Sequence, residues 1–380
     1  MHAANPGLAP DAPVSRVGRG LTPSDQGHPR NPTTAVAPTL AGRQPPSSLP
    51  HCDPLPAGPM APPPSSMTAV DLTAVPLPLE QLPPLPPLQL AVVGHVEVVQ
   101  FLEVPELPRP GQIVRASHGH QVAAGGGAVV AVQLARLLGV AVPFFTALGR
   151  DAAGERAFEE LSALGLELHV AWRDAPTRTA ITHVDAAGER TITVIGERLS
   201  PRAADPLPWQ RLADCDGVFL TAADSAAVRL ARAARVLTAT PRLRLEILAE
   251  AAVDLDALIC SALDPAERYS PGDLEPAPAL VIATEGARGG RVWPGGHFAA
   301  PRRQRPGLDS YGAGDSFAAG VTAALAAGWT LPQALSLGCH CGSACLDGRG
   351  PYPGQLRRRT SDGRVGPPDP DAASSGGGTG

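Results

Sequence analysis

Asp309-Ser310-Tyr311-Gly312-Ala313-Gly314-Asp315-Ser316-Phe317 runs without a break into Ala318-Ala319-Gly320-Val321-Thr322-Ala323-Ala324-Leu325-Ala326-Ala327. Two glycines around an alanine add little to a core. They do leave backbone N–H groups free at the first turn of the helix that the alanine-rich run predicts, with the Asp315 carboxylate beside them. Free N–H groups at the positive end of a helix dipole bind anions. A carboxylate next to a bound anion can take the proton from a nucleophile attacking it. The stretch reads as a phosphoryl-transfer site. An acidic residue in a first helical turn also has a purely structural use, so the surrounding pattern has to decide.

That pattern is an alternation of strands and helices. Leu88-Gln89-Leu90-Ala91-Val92-Val93-Gly94 is an apolar run ending in glycine, and Gly125-Gly126-Gly127 opens an apolar helix that Gly139 closes. A strand over 140–146 and an amphipathic helix over 151–164 follow. Residues 177–195 break the rhythm: two β-branched runs flank Asp185-Ala186-Ala187-Gly188, the signature of a hairpin. With a further strand region near 112–122, they predict a small separate sheet. Alternation then resumes, with strands over 217–221, 236–240, 257–260, 280–284 and 291–293 and helices over 225–235 and 243–252. Such β-α repeats predict a mostly parallel sheet covered on both faces, with ligands at the carboxyl ends of its strands.

Outside this region the composition changes. Residues 1–88 are crowded with Pro, Ala, Gly and Ser and carry no apolar periodicity, so a disordered extension is expected there. Residues 357–380 read the same way. One domain over 89–356 remains. The net charge of -5 gives no reason to expect nucleic acid or an anionic membrane as partner. No apolar run reaches the roughly eighteen residues that span a bilayer. Residues 1–10 lack the apolar core of a signal peptide, so a cytoplasmic protein is expected by default.

All 31 basic residues of the Lys+Arg count are arginine. A Walker-A loop, a Schiff-base cofactor site and a protein-kinase strand all require a lysine, which excludes the three. Any phosphate must be met by backbone N–H groups, arginine or a metal. The cysteines form no disulfide framework, and Cys339, Cys341 and Cys345 sit among small residues that read as a helix rather than a zinc site.

With these pieces in order, the chain resembles the ribokinase-like, or PfkB, family of carbohydrate kinases over residues 89–356. The resemblance rests first on the stretch from Asp309 to Phe317. It implies an α/β fold, a three-layer α/β/α sandwich with a mostly parallel central sheet and a small β-sheet lid. The lid strands would lie near 112–122 and 177–195. It also implies transfer of the γ-phosphoryl group of ATP, with Mg2+ and in some members a monovalent cation, to a hydroxyl of a small sugar-like acceptor. On this reading Asp315 is the catalytic base and Gly312, Ala313 and Gly314 form the anion hole. Asp309 helps hold the phosphate loop. Thr284-Glu285-Gly286-Ala287-Arg288-Gly289 is similar to the family's nucleotide loop, which assigns Thr284, Gly286 and Gly289 to ATP. Asp264-Pro265-Ala266-Glu267 resembles the family's Asn-x-x-Glu, which assigns Glu267 and Asp264 to the metal. Gly126 and Gly127 would approach the acceptor, and a homodimer paired through the lid would be consistent with the family.

The acceptor half departs from the family. Val129 and Val130 occupy the stretch where an Asn is usual, and Val99 stands near the expected Asp, leaving His95 and Glu97 as acceptor candidates. A pocket without those polar anchors should not select the same polyol. A nucleoside kinase, or a metabolite-binding regulator without turnover, stays open on the same fold. A nicotinamide oxidoreductase lacks its Gly-x-Gly-x-x-Gly after the first strand.

Overall fold

The computed structural model describes residues 72–186, 188, 190–359 and 363–368. The first half holds β1 (Leu90–Val93), β2 (Glu97–Glu103), β3 (His118–Ala124), α1 (Gly126–Leu138), β4 (Val142–Gly149), α2 (Ala152–Ala163), β5 (Leu166–Arg173), β6 (Thr179–Val184) and β7 (Arg190–Ile195). The second holds β8 (Gly217–Leu220), α3 (Ser225–Ala231), β9 (Val236–Ala239), α4 (Leu245–Ala251), β10 (Ala257–Ser261), β11 (Val281–Thr284), β12 (Gly290–Trp293), β13 (Gly296–Phe298), α5 (Ala313–Ala326) and α6 (Leu331–Cys345).

The main sheet has nine strands in the order β13-β12-β11-β10-β9-β8-β1-β4-β5. From β11 to β5 every pairing is parallel, while β12 and β13 close the far edge antiparallel. Strands β1, β8 and β9 are buried along their whole length, as their continuous apolar sequences require of strands covered on both faces. Alternation sends Leu90, Val92 and Phe219 to the layer containing α1, α5 and α6. It sends Ala91, Val93, Val218 and Leu220 to the layer containing α3 and α4. This is the expected three-layer sandwich.

Helices α5 and α6 touch through glycine. A Cβ on Gly320 would stand 2.9 Å from Gly338 Cα, so a side chain there would force the two backbones apart. Asp151 starts α2 by accepting from Gly154 N at 2.8 Å and also from Thr177 N at 2.7 Å. One carboxylate thus ties the main sheet's helix to the chain entering the hairpin.

A second sheet of four strands has the order β3-β2-β6-β7. The hairpin over β6 and β7 forms as expected. The strand expected near 112–122 is β3 and lies at 118–124. The sheet's central strand β2 was not anticipated, and neither was β5 in the main sheet.

The expected boundary at 89 needs correction. Leu72, Val75, Leu82, Leu85 and Leu88 are all buried in the same core as α1, α5 and α6. Leu77 N donates to Ser336 Oγ at 2.8 Å, and the His340 ring bonds Leu77 O at 2.7 Å, strapping this segment to α6. Prolines leave such a segment extended, and Leu82, Leu85 and Leu88 recur every third residue, the period of a polyproline II turn rather than of a helix or a strand. The expected tail also begins too early, since Arg357–Arg358 pairs with Val365–Gly366. Residues 1–71 and 369–380, on which the remaining expectation of disorder falls, lie outside the described residues. Among the described residues no helix is long and apolar enough to cross a membrane.

Candidate active site

The carboxyl ends of β1, β8, β9, β10 and β11 open on one cleft of about 1140 Å3. The starts of α1 and α5 reach it from one helical layer, and the lid contributes Arg178, just before β6, and Arg190, Ile192 and Val194 of β7 to its lining. A parallel sheet points all these strand ends to one side, which brings together loops distant in sequence.

Helix α5 starts with Gly312 at φ 81°. A Cβ at this position would stand 3.0 Å from both Pro351 Cβ and Val129 Cγ1, so conformation and space both require glycine. This turn leaves the N–H groups of Gly314 and Asp315 without an acceptor among the described residues. Asp315 is half-buried in the first turn, and a Cβ on Gly126 would lie 3.0 Å from its Oδ1. A glycine at the head of α1 therefore keeps space open beside the carboxylate. Asp309 lies outside the cleft lining and positions the loop: its Oδ1 accepts from Tyr311 N and its Oδ2 from Gly350 N, both at 2.9 Å.

The floor near β1 is a buried network. The Tyr311 hydroxyl donates to Glu97 Oε1 at 3.0 Å and accepts from Gly125 N at 3.3 Å. The other Glu97 oxygen lies 3.3 Å from Arg178 Nε. Burial, then the carboxylates of Glu97 and Asp315, hold the Tyr311 phenol well above its usual range, so it remains a donor. His95 meets Thr221 Oγ1 at 3.2 Å. Burial, reinforced by the guanidiniums of Arg198, Arg178 and Arg242, holds its pKa well below the usual imidazole value. Both acceptor candidates line the cleft, but Glu97 has each oxygen already engaged.

The nucleotide-side residues divide. Thr284 and Gly286 line the cleft. Gly289 does not: at φ 92° a Cβ on it would collide with Phe298 O, so this glycine serves the turn between β11 and β12. Gly127 is likewise a packing glycine, where a Cβ would meet His95 O at 2.8 Å.

Asp264 and Glu267 both line the cleft, and each already has partners. Glu267 accepts from Ser261 N at 2.8 Å and pairs through its other oxygen with Arg242 Nε. Asp264 accepts from Ala266 N at 2.9 Å, and its other oxygen lies 3.7 Å from Arg242. Hard carboxylate oxygens are the right donors for magnesium. With Arg242 in place, each Glu267 oxygen already accepts one bond, whereas the second Asp264 oxygen has no hydrogen bond among the described residues, a donor set that fits a magnesium ion keeping its waters. Burial works against the Arg242 charge, yet Asp315, Glu267 and Asp264 outweigh it and raise its pKa.

Arg178, Arg190, Arg198, Arg242 and Arg244 all line this cleft, and none had been singled out. The signal was there, since a chain without lysine must meet anions with arginine, but charges this far apart in sequence name no common site. Val99, Val129 and Val130 are fully buried and lie outside the lining. The α6 thiols are engaged elsewhere: Cys339 Sγ faces Ala299 O, and Cys345 Sγ faces Tyr311 O and Pro351 O.

The sequence model of the pfkB family carbohydrate kinases matches residues 88–268 and 270–356. The chain belongs to this family. Among pfkB relatives, it is 30% identical over 111 residues to the ribokinase of Arabidopsis thaliana, covering 28% of this chain and 29% of that protein. It is 40% identical over 76 residues to the fructoselysine 6-kinase of Escherichia coli (strain K12), covering 19% and 28%. The chain thus spans less than a third of the length of these curated relatives in its matches. A ribokinase from Thermotoga maritima superposes with a TM-score of 0.58 at 20% identity, covering 71% of this chain and 97% of that one. Arabidopsis thaliana ribokinase, solved with ribose and ATP, superposes at 0.56 with 19% identity, covering 70% and 95%. At this identity the superpositions speak for the pfkB fold.

Proposed function

We propose that the protein is an ATP-dependent kinase that phosphorylates a hydroxyl of a small sugar or sugar-like acceptor. The observation that carries this is Asp315, set at a turn with free N–H groups and facing the space that Gly126 leaves open. An acceptor hydroxyl in that space gives its proton to Asp315 as its oxygen bonds to the γ-phosphorus. The bond from that phosphorus to the departing ADP breaks, and the proton later passes to solvent. The Gly314 and Asp315 N–H groups and the positive end of α5 meet the charge of the group in transfer. Phosphoryl transfer asks mostly for such alignment and neutralisation. Thr284 and Gly286 mark the nucleotide side, and the lid sheet screens the reacting groups from water.

The test is ADP release from ATP and magnesium with a panel of sugars and nucleosides, comparing the native chain with Asp315→Ala. Turnover that Asp315→Ala abolishes supports the assignment. Equal rates in the two proteins on the best acceptor would refute it.

A further inference from the structure

Five arginines in one cleft are more than the proposed reaction uses, and their partners sort them. Arg178 is paired with Glu97, and Arg242 with Glu267 and Asp264. The other three have no carboxylate. Arg190 donates to the neutral Ser310 Oγ at 2.6 Å, with its guanidinium 5.8 Å from the Tyr311 ring centre. Arg198 donates to the carbonyl of Arg242, which seats its guanidinium against the loop carrying Arg244. Arg244 has no side-chain hydrogen bond or ion pair among the described residues and holds φ 91°, ψ 126°, a backbone conformation alien to a side chain. Glu197 and Glu246 also line the cleft, but both are exposed and neither forms an ion pair among the described residues.

Resting on the kinase reading above, we propose that the acceptor carries an anionic group remote from the hydroxyl that is phosphorylated, a phosphate monoester or a carboxylate, and that Arg198 and Arg244 grip it. A guanidinium fork matches either anion, and charge-assisted bonds are the strong ones. Six carboxylates also line the cleft, but Arg198 and Arg244 pair with none of them and repel each other, which an arriving anion relieves. Burial first, then Arg178, Arg242 and Arg244, push Arg198 down to about 10 despite Glu97. A neutral polyol would offer these groups hydroxyl acceptors but no charge to assist the bonds. The neutral anchors among the described lining residues are hydroxyls, Thr240, Ser261, Thr284, Ser310 and Tyr311, with no asparagine or glutamine. The phosphates of ATP share the same chemistry and have to be told apart by experiment.

The experiment titrates the full chain calorimetrically with fructose 6-phosphate, fructose 1-phosphate, ribose 5-phosphate and gluconate, and with fructose, ribose and glucose as uncharged parents. ATP is titrated separately. At least one anionic sugar should bind tenfold or more tightly than its parent. Arg198→Gln and Arg244→Gln should each weaken it by about 10- to 100-fold, with ATP affinity within about twofold. Arg198→Lys, which keeps the charge and loses the fork, should recover part of the loss. Equal binding of charged and uncharged sugars overturns the proposal, as does a preference that survives both glutamine variants. Loss of ATP affinity matching the loss of sugar affinity assigns the arginines to the nucleotide and also overturns it. A preference for anionic sugars without ADP release from any of them upholds the anion site and defeats the kinase reading alone.

Discussion

Gly126 and Asp315 face each other at the floor of the cleft: a Cβ placed on the glycine would stand 3.0 Å from the aspartate Oδ1. The two residues come from the first turns of helices that are far apart in sequence and packed in one layer. On the kinase reading proposed above, the acceptor hydroxyl approaches the carboxylate beside this glycine. Gly126→Ala fills that space. Misplacement of a reacting group by about 1 Å costs on the order of 100-fold in rate, and kcat should fall by about that order. Alanine favours a helix by up to about 1 kcal/mol over glycine, so the thermal midpoint should hold or rise. Steady-state ADP release with a parallel melting curve separates the two effects.

Asp315→Asn keeps the shape and removes the base. We expect kcat to drop by about 10²- to 10⁴-fold, the usual worth of general base catalysis, with the KM for ATP little changed. A variant that keeps more than a tenth of native kcat would move the proton elsewhere.

Tyr311→Phe removes a hydroxyl that serves two buried partners, Glu97 Oε1 and Gly125 N. Leaving such groups unpaired costs about 1–3 kcal/mol each. Urea unfolding should show a loss of at least the lower figure. An unchanged midpoint would mean that water replaces the phenol.

His95 sets a pH dependence. Its folded pKa lies well below 6.5 through burial and the guanidiniums of Arg198, Arg178 and Arg242. The unfolded chain takes up this proton below about 6.5 while the folded protein does not. The contribution of His95 is therefore level above that pH. It falls by about 1.4 kcal/mol per pH unit below it until the folded pKa is reached. Urea midpoints from pH 8 to pH 5 should decline on the acid side, and His95→Gln should flatten part of the decline. His120 and His169 are also depressed by burial, so the difference between variant and native chain is the measurement.

What could be read in the sequence was local. The turn at Gly312 and the carboxylate of Asp315 in the first turn of α5 depend on neighbours in the chain, as do the glycines that end strands and open helices. Strand β2 escaped because Val98, Val99 and Phe101 suit a buried strand in either sheet, and periodicity does not say which sheet receives it. The arginines escaped because charges at 178, 190, 198, 242 and 244 converge only after the lid folds over the strand ends. Glu267 had the right chemistry for a metal in the sequence, and only the fold shows Arg242 already holding it. The segment holding Leu82, Leu85 and Leu88 was hidden by its prolines, since a spacing of three matches neither a helix nor a strand.

That segment has a further use. Leu85 N donates to Gly363 O at 3.1 Å, so the chain entering the domain is fastened to the chain leaving it. Neighbouring ends are what circular permutation needs. A chain joined across this contact could be reopened at a surface loop elsewhere, with the strap kept as a covalent crossing.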